Sequence, residues 1–163
     1  MNSIAADLMS STAALRLNPS PPAHAVTLER CPQAAATARD VATRFLADLR
    51  PPVYEEAADT VVLVVSELVT NSVRHADGAS CSLRLAVCGD AVVVSVSDSS
   101  PVPPVGRCPD VDGDGGGFGW PMVRRLAVAT SVCVTPRGKT VHALMPFRAL
   151  RGREPGGGAP ARR

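Results

Sequence analysis

Hydrophobic residues recur with two different periods along this chain. From Pro32 to about Leu49, and again from Tyr54 to Ala76, apolar positions follow helical spacing, and Pro51-Pro52 separate the two stretches. From Ser80 to Cys88 and from Ala91 to Asp98, apolar and polar residues mostly alternate around a glycine-containing turn. The first pattern predicts two helices and the second predicts a β-hairpin.

The first of these helices begins at a proline, which suits the first turn of a helix because its missing N–H is not needed there. Spacing along this segment predicts that its inward-facing residues are Ala36, Val41, Phe45 and Leu49. The second helix continues until Asp77-Gly78, where a glycine favours termination.

Shorter elements surround these segments. Residues 25–29 are predicted to be an edge strand, and a long loop with four prolines spans residues 99–117. A short helix from Trp120 to about Val128 precedes two strands, Thr130–Thr135 and Thr140–Pro146. Helices followed by mostly antiparallel strands predict an α+β fold: a two-layer α/β sandwich in which helices cover one face of a mostly antiparallel mixed sheet.

The two ends of the chain differ in composition from its middle. The beginning is rich in Ala, Ser and Pro, and the end is rich in Gly, Pro and Arg. Neither end has enough apolar residues to form a packed core. We therefore expect a disordered arm over residues 1–23, one domain over residues 24–148 and a disordered tail over residues 149–163.

The second helix carries an unusual polar face. At about 100° per residue, Glu67, Asn71, Arg74 and His75 share one side of this helix. The opposite side is apolar, with Val61, Val65, Leu68, Val69, Val73 and Ala76. Burying the four polar groups unpaired would cost several kcal/mol, so a ligand is the simplest explanation of the pattern. A charged ligand accompanied by a metal ion would fit all four.

Composition narrows the classes of function. The chain has 163 residues, a formal net charge of +2 and 3% aromatic residues, which argues against a nucleic-acid surface or an acidic membrane partner. No apolar stretch is long enough for a transmembrane helix. The five cysteines include no C-x-x-C pair, which favours reduced thiols over a zinc site or a disulfide framework. We expect a cytoplasmic protein without direct nucleic-acid or membrane contacts.

Two further segments carry candidate chemistry. Asp98 ends an apolar strand where the long loop begins, so its carboxylate is either a surface strand end or a buried acceptor for a ligand N–H. Gly115, Gly117 and Gly119 precede the short helix. Glycines at a helix N-terminus let the backbone approach an anion, although flexible loops produce similar runs.

The order of these three segments resembles a known family. A helix with Glu-x-x-x-Asn, a strand ending in Asp-x-Ser and a Gly-x-Gly box opening a helix are similar to the ATP-binding domain shared by gyrase, Hsp90 chaperones, histidine kinases and MutL (the Bergerat fold). The stretch Ser-Glu-Leu-Val-Thr-Asn-Ser-Val-Arg-His resembles the stand-alone bacterial anti-sigma factor serine/threonine kinases of the RsbW type. The resemblance covers roughly residues 25–147.

This resemblance implies a role for each candidate residue. Asn71 would bind Mg²⁺ that bridges the ATP phosphates, and Glu67 would be the catalytic base that activates the attacking hydroxyl. Asp98 would accept a hydrogen bond from the adenine amino group. The remaining implied ATP contacts are Arg74, His75, Ser100, Gly115, Gly117, Gly119 and Thr140. Thr140 is taken as the contact within Gly138-Lys139-Thr140, which lacks the upstream glycine of a P-loop.

The resemblance also implies partners. A kinase of this type would phosphorylate a STAS-type anti-sigma factor antagonist and sequester a sigma factor. Related anti-sigma kinases are often dimers, and the exposed first strand offers a dimer edge. Two alternatives stay open: a non-catalytic module that binds ATP and sequesters a regulator, and a degenerate domain that binds no nucleotide.

Overall fold

The computed structural model describes residues 23–104 and 119–146, which form five strands and three helices. In chain order these are β1 (Ala23–Glu29), α1 (Ala34–Ala47), α2 (Glu55–His75), β2 (Ser80–Cys88), β3 (Ala91–Asp98), α3 (Gly119–Leu126), β4 (Ala129–Thr135) and β5 (Gly138–Pro146). The predicted tail, nearly all of the predicted arm, Gly115 and Gly117 lie outside the described residues.

The five strands form one sheet with the order β1-β2-β3-β5-β4. All four pairings between described strands are antiparallel, so the described sheet contains no parallel pair of the kind a mixed sheet would have. The turn between β2 and β3 pairs Cys88 with Ala91, as the alternating pattern predicts. The predicted edge strand is confirmed, because β1 pairs only with β2.

One face of the sheet packs against the helices and forms the core. Helix α2 contacts α1, α3 and strands β2, β3 and β5. The side chains of Val61, Val64, Val65 and Val69 on α2 are completely buried. Burying one such side chain stabilises the fold by roughly 1.5–3 kcal/mol, so this stripe fixes the rotation of α2 and the direction of its polar residues. The predicted two-layer α+β fold is confirmed.

The inward face of α1 differs from the prediction. Ala36 is exposed, and the buried residues of the helix are Ala34, Ala38, Ala42, Phe45 and Leu46. These positions follow i, i+4 spacing from Ala34, whereas Ala36 lies about 200° from that stripe. Phe45 and Leu49 are buried as predicted.

The chain reverses tightly between β4 and β5. Gly138 begins β5 with a φ of +150°, a conformation that side-chain-bearing residues rarely adopt. A Cβ at this position would also collide with the main-chain carbonyl of Asp98. This close approach aligns the start of β5 with the end of β3. Within the described ranges, none of the helices is long and apolar enough to cross a membrane.

Candidate functional site

Glu67 and Asn71 lie one turn apart on α2, and both are half-buried. The apolar stripe of α2 faces the sheet and α1, and Glu67 on the other side lies beside the first residue of α3. No hydrogen bond joins the Asn71 amide to any residue within 23–104 or 119–146. A half-buried amide of this kind has its oxygen available for a ligand.

The carboxylate of Glu67 reaches the first residue of α3. A Cβ built on Gly119 would lie only 2.5 Å from Oε2 of Glu67, so the carboxylate in its present position occupies the space that the missing side chain leaves. The N-terminus of a helix carries a partial positive charge and free N–H groups, which favour a nearby carboxylate or phosphate. The structure therefore brings the predicted catalytic residue and one of the predicted glycines together.

Arg74 and His75 occupy the last turn of α2, and both side chains are exposed. They share the polar side of α2 with Glu67 and Asn71 but extend further into solvent. Positive side chains at a helix C-terminus interact favourably with the helix dipole whether or not a ligand is present. Their position therefore has a structural explanation of its own.

Asp98 forms a buried ion pair that the sequence analysis did not predict. Its Oδ1 accepts a hydrogen bond from Nζ of Lys139 at 2.9 Å, and the two side chains are only 3% and 2% exposed. The same oxygen accepts the backbone N–H of Ser100 at 2.9 Å. Nζ of Lys139 also donates to the carbonyl of Ser100 at 3.4 Å. Ser100 is thus buried beside the ion pair and contributes main-chain atoms to it.

The structure places Thr140 away from Asp98. Strand residues alternate between faces, and Asp98 is paired with Lys139 while Thr140 is paired with Ser97. The Thr140 and Ser97 hydroxyls lie 2.8 Å apart on the helix-free face. The residue of the Gly-Lys-Thr element that meets Asp98 is therefore Lys139. The β3–β5 register carries this information, and sequence alone does not specify that register.

A second buried polar group lies near this end of the site. The Ser72 hydroxyl, next along the chain from Asn71, is buried beside the Cys81 thiol. Burial raises the pKa of the Cys81 thiol, a hydrogen bond from the Ser72 side chain opposes this rise, and the negative charge of Asp98 adds to it.

A hydrogen bond joins the segment that follows α2 to the residue that follows β3. The backbone N–H of Gly78, just after α2, donates to Oγ of Ser99 at 2.8 Å. A shallow groove of about 320 Å³ begins near this contact, and its lining residues are Thr27, Ser80, Cys81, Ser82, Ser97, Asp98, Ser99 and Arg137. Neither Glu67 nor Asn71 lines this groove, so it is separate from the polar face of α2.

The donor set fits a magnesium–nucleotide complex better than a metal held by protein alone. The described residues contain no group of three or more His, Cys, Asp or Glu side chains that could hold a metal ion. Mg²⁺ is commonly bound by one or two protein oxygens together with substrate phosphates. The half-buried Asn71 amide lies one turn from Glu67 on α2 and offers one such protein oxygen.

Comparison with solved structures supports the same fold. The RsbU and RsbW domains of a Mycobacterium tuberculosis protein superpose with a TM-score of 0.59 and 22% identity, over 77% of this chain and 32% of that one. A blue-light activated histidine kinase from Erythrobacter litoralis gives a TM-score of 0.43 and 29% identity, over 58% of this chain and 32% of that one. The described chain thus spans about a third of either protein's length.

The remaining comparisons concern one more solved structure, the curated proteins and a family model. The histidine kinase domain of the E. coli osmosensor EnvZ has a TM-score of 0.40 and 14% identity, over 87% of this chain and 99% of that one. No curated protein matches the sequence. The histidine kinase-like ATPase domain matches residues 28–145, which include every described candidate residue and well over half of the chain. On this match the chain belongs to the histidine kinase-like ATPase domain family.

Proposed function

We propose that this protein binds Mg-ATP and transfers its γ-phosphate to a serine or threonine of an anti-sigma factor antagonist. In this proposal the protein also binds and sequesters a sigma factor. Family membership supports ATP as the ligand. The RsbW-like sequence of α2 and the shared fold with an RsbW domain support the choice of partners.

The observation that carries the catalytic part is the position of Glu67. Its carboxylate lies one turn from the Asn71 amide and directly against Gly119 at the start of α3. Phosphates held at that helix N-terminus would lie between the metal-binding amide and the carboxylate. A base is then within reach of a hydroxyl that approaches the γ-phosphate.

The chemistry assigned to the chain is limited to positioning and one proton transfer. Mg²⁺, when bound, would offset the negative charge of the phosphates. Asn71 would bind that ion through its side-chain oxygen. Glu67 would accept the proton of the attacking hydroxyl as the new oxygen–phosphorus bond forms and the bond to the β–γ bridging oxygen breaks, which releases ADP.

Labelled ATP tests this proposal directly. We expect wild-type protein to bind Mg-ATP by calorimetry and to transfer labelled phosphate to a small antagonist protein from the same cell. Glu67→Ala should reduce transfer by about a hundredfold or more, in line with loss of a general base, while Mg-ATP binding changes little. Asn71→Asp should weaken Mg-ATP binding.

The outcomes separate the remaining candidates. Normal ATP binding with no transfer to any cognate antagonist would contradict the kinase and leave a module that binds ATP and sequesters a regulator. A pull-down with and without Mg-ATP would then identify the sequestered protein. An Asn71 variant with unchanged nucleotide affinity would contradict the assigned site as a whole.

A further inference from the structure

Lys139 is a buried cation whose role the proposed function does not explain. Its side chain is 2% exposed, although lysine is almost never fully buried unless it is paired. Moving an ammonium group out of water costs several kcal/mol even after relaxation. The only charged partner among the described residues is Asp98, at 2.9 Å. A lysine that is buried at this cost is expected to have a role that depends on its contact with the Asp98 carboxylate.

The geometry around Asp98 is asymmetric. Both the Lys139 ammonium and the Ser100 backbone N–H bond to the same oxygen, Oδ1. A carboxylate has two oxygens with about four acceptor positions, so two bonds on Oδ1 leave Oδ2 able to accept another donor. Fixing Oδ1 from two directions also fixes the direction in which Oδ2 points.

The backbone on both sides of this contact is held in place. A Cβ added at Gly138 would collide with the main chain of Asp98 and Ser99, which shows how closely the start of β5 approaches the end of β3. Nζ of Lys139 also donates to the carbonyl of Ser100, which anchors the ammonium at a second point. The ion pair is therefore a rigid part of the sheet and not a mobile surface contact.

We propose that Lys139 is a positioning residue for nucleotide recognition, which holds Asp98 oriented so that its Oδ2 accepts the 6-amino group of the base. This inference rests on the proposed function and on the contact between Asp98 and the adenine amino group that the family resemblance implies. Without the ammonium, Asp98 would be a carboxylate of 3% exposure with no positive partner among the described residues. Only the Ser100 backbone N–H would then hold its Oδ1.

The test compares two nucleotides that differ at one group. Mg-ATP and the Mg²⁺ complex of purine riboside triphosphate, in which hydrogen replaces the 6-amino group, are titrated into wild type and Lys139→Met by calorimetry. We expect the variant to bind ATP about tenfold more weakly or worse, since hydrogen bonds to charged groups are worth roughly 1.5–3 kcal/mol. Affinity for the analogue should change by less than about twofold, because it lacks the amino donor.

The difference between the two nucleotides is the readout that a purely structural role would not change, because a structural defect would weaken binding of both to the same extent. Arg84→Met is the matched control, since Arg84 is an exposed cation on the neighbouring strand β2.

Each outcome has a defined meaning. Equal loss of ATP and analogue binding in Lys139→Met would overturn the inference and indicate a structural role, and tighter ATP binding would overturn it by showing that the lysine competes with the base. Wild type that binds neither nucleotide would overturn the proposed function together with the inference. If thermal melting shows that Lys139→Met does not fold, Lys139→Gln keeps a donor without the charge and should still weaken the binding of ATP more than the binding of the analogue.

Discussion

The two ends of the candidate site are built in opposite ways. At the α2–α3 end, Glu67 and Asn71 are half-buried, and the Asn71 amide has no hydrogen-bond partner among residues 23–104 and 119–146. At the β3–β5 end, Asp98 and Lys139 are almost completely buried and bonded to each other. The polar side chains at the α2–α3 end are therefore available to a ligand, whereas the charged side chains at the β3–β5 end already bond to each other.

This difference follows from the chemistry proposed for each end. Phosphates and Mg²⁺ bring their own charge and hydrogen-bonding capacity, so residues that bind them need only be available. An aromatic base is mostly apolar and gains specificity from a few fixed polar groups in a buried setting. A carboxylate that must stay ionised in such a setting needs a positive partner.

Removing the carboxylate at the buried end should have the largest effect on stability. Asp98→Ala leaves the Lys139 ammonium buried without its partner, and breaking a buried pair in this way costs about 3–5 kcal/mol. We expect the free energy of unfolding, measured by urea denaturation, to fall by that amount. Asn71→Ala at the open end should stay within about 0.5 kcal/mol of wild type, because it breaks no internal hydrogen bond that the described residues show.

A double variant sharpens the same measurement. Asp98→Ala with Lys139→Met removes both charges, so part of the stability lost in Asp98→Ala should return. Asp98→Ala alone could instead lower the free energy of unfolding by less than about 1 kcal/mol. The Lys139 ammonium would then reach water in that variant, which would contradict a rigid β3–β5 end.

Sequence reasoning performed differently at the two ends for a physical reason. The Glu67 and Asn71 face depends on helical periodicity within one segment, and local spacing is enough to place both residues on one side of α2. The contact between Asp98 and Lys139 joins residues 41 positions apart and depends on the β3–β5 register. A shift of one residue would place Thr140 on the inner face instead, and the resemblance that favours Thr140 as the contact does not specify this register.

The same distinction explains the errors and successes in the fold. Hairpin strands β2 and β3 match their predicted bounds because alternation and a glycine turn define them locally. Ala36 was assigned to the core of α1, yet alanine occurs on both faces of that helix and carries little information about direction. Ser72 is polar but lies about 140° from Glu67, within the apolar stripe of α2, so helical spacing alone is enough to place it in the core.

Gly119 offers a way to disturb the open end without changing a charged group. In Gly119→Ala the new Cβ would take the space now used by Oε2 of Glu67, 2.5 Å away, so the carboxylate must move. Misplacing a catalytic group by about 1 Å can reduce the rate by roughly 10- to 100-fold, and we expect a loss of transfer in that range. Nucleotide affinity should change much less than the rate.

A control distinguishes displacement of Glu67 from damage to α3. Arg124→Ala shortens an exposed side chain in the same short helix, about 140° round the helix from Gly119. Transfer by this variant should stay close to wild type. If Gly119→Ala transfers phosphate at the wild-type rate, the contact between Glu67 and α3 has no catalytic importance.

The smallest expected effect concerns the half-buried histidine His142, which forms no ion pair that the described residues show. His142 lies on β5 three residues from Lys139, but on the helix-free face, where its Nδ1 is 2.8 Å from the Ser95 hydroxyl. Burial lowers the pKa of His142 below its ordinary value of 6.5. The unfolded chain therefore binds this proton more readily than the folded protein does, and the free energy of unfolding should decrease as the pH falls below about 6.5.

His142→Gln should flatten this part of the stability curve, because glutamine has no proton to take up. Urea denaturation of the variant and wild type between pH 7.5 and 5.5 measures the difference, and His24→Gln on the exposed strand β1 serves as the matched control. A wild-type curve that coincides with that of His142→Gln would mean that the histidine stays hydrated. A difference in the free energy of unfolding that grows as the pH falls would show that His142 makes the fold sensitive to pH. Lys139, on the same strand β5, is paired with Asp98, whereas the half-buried His142 has no such counter-ion among the described residues.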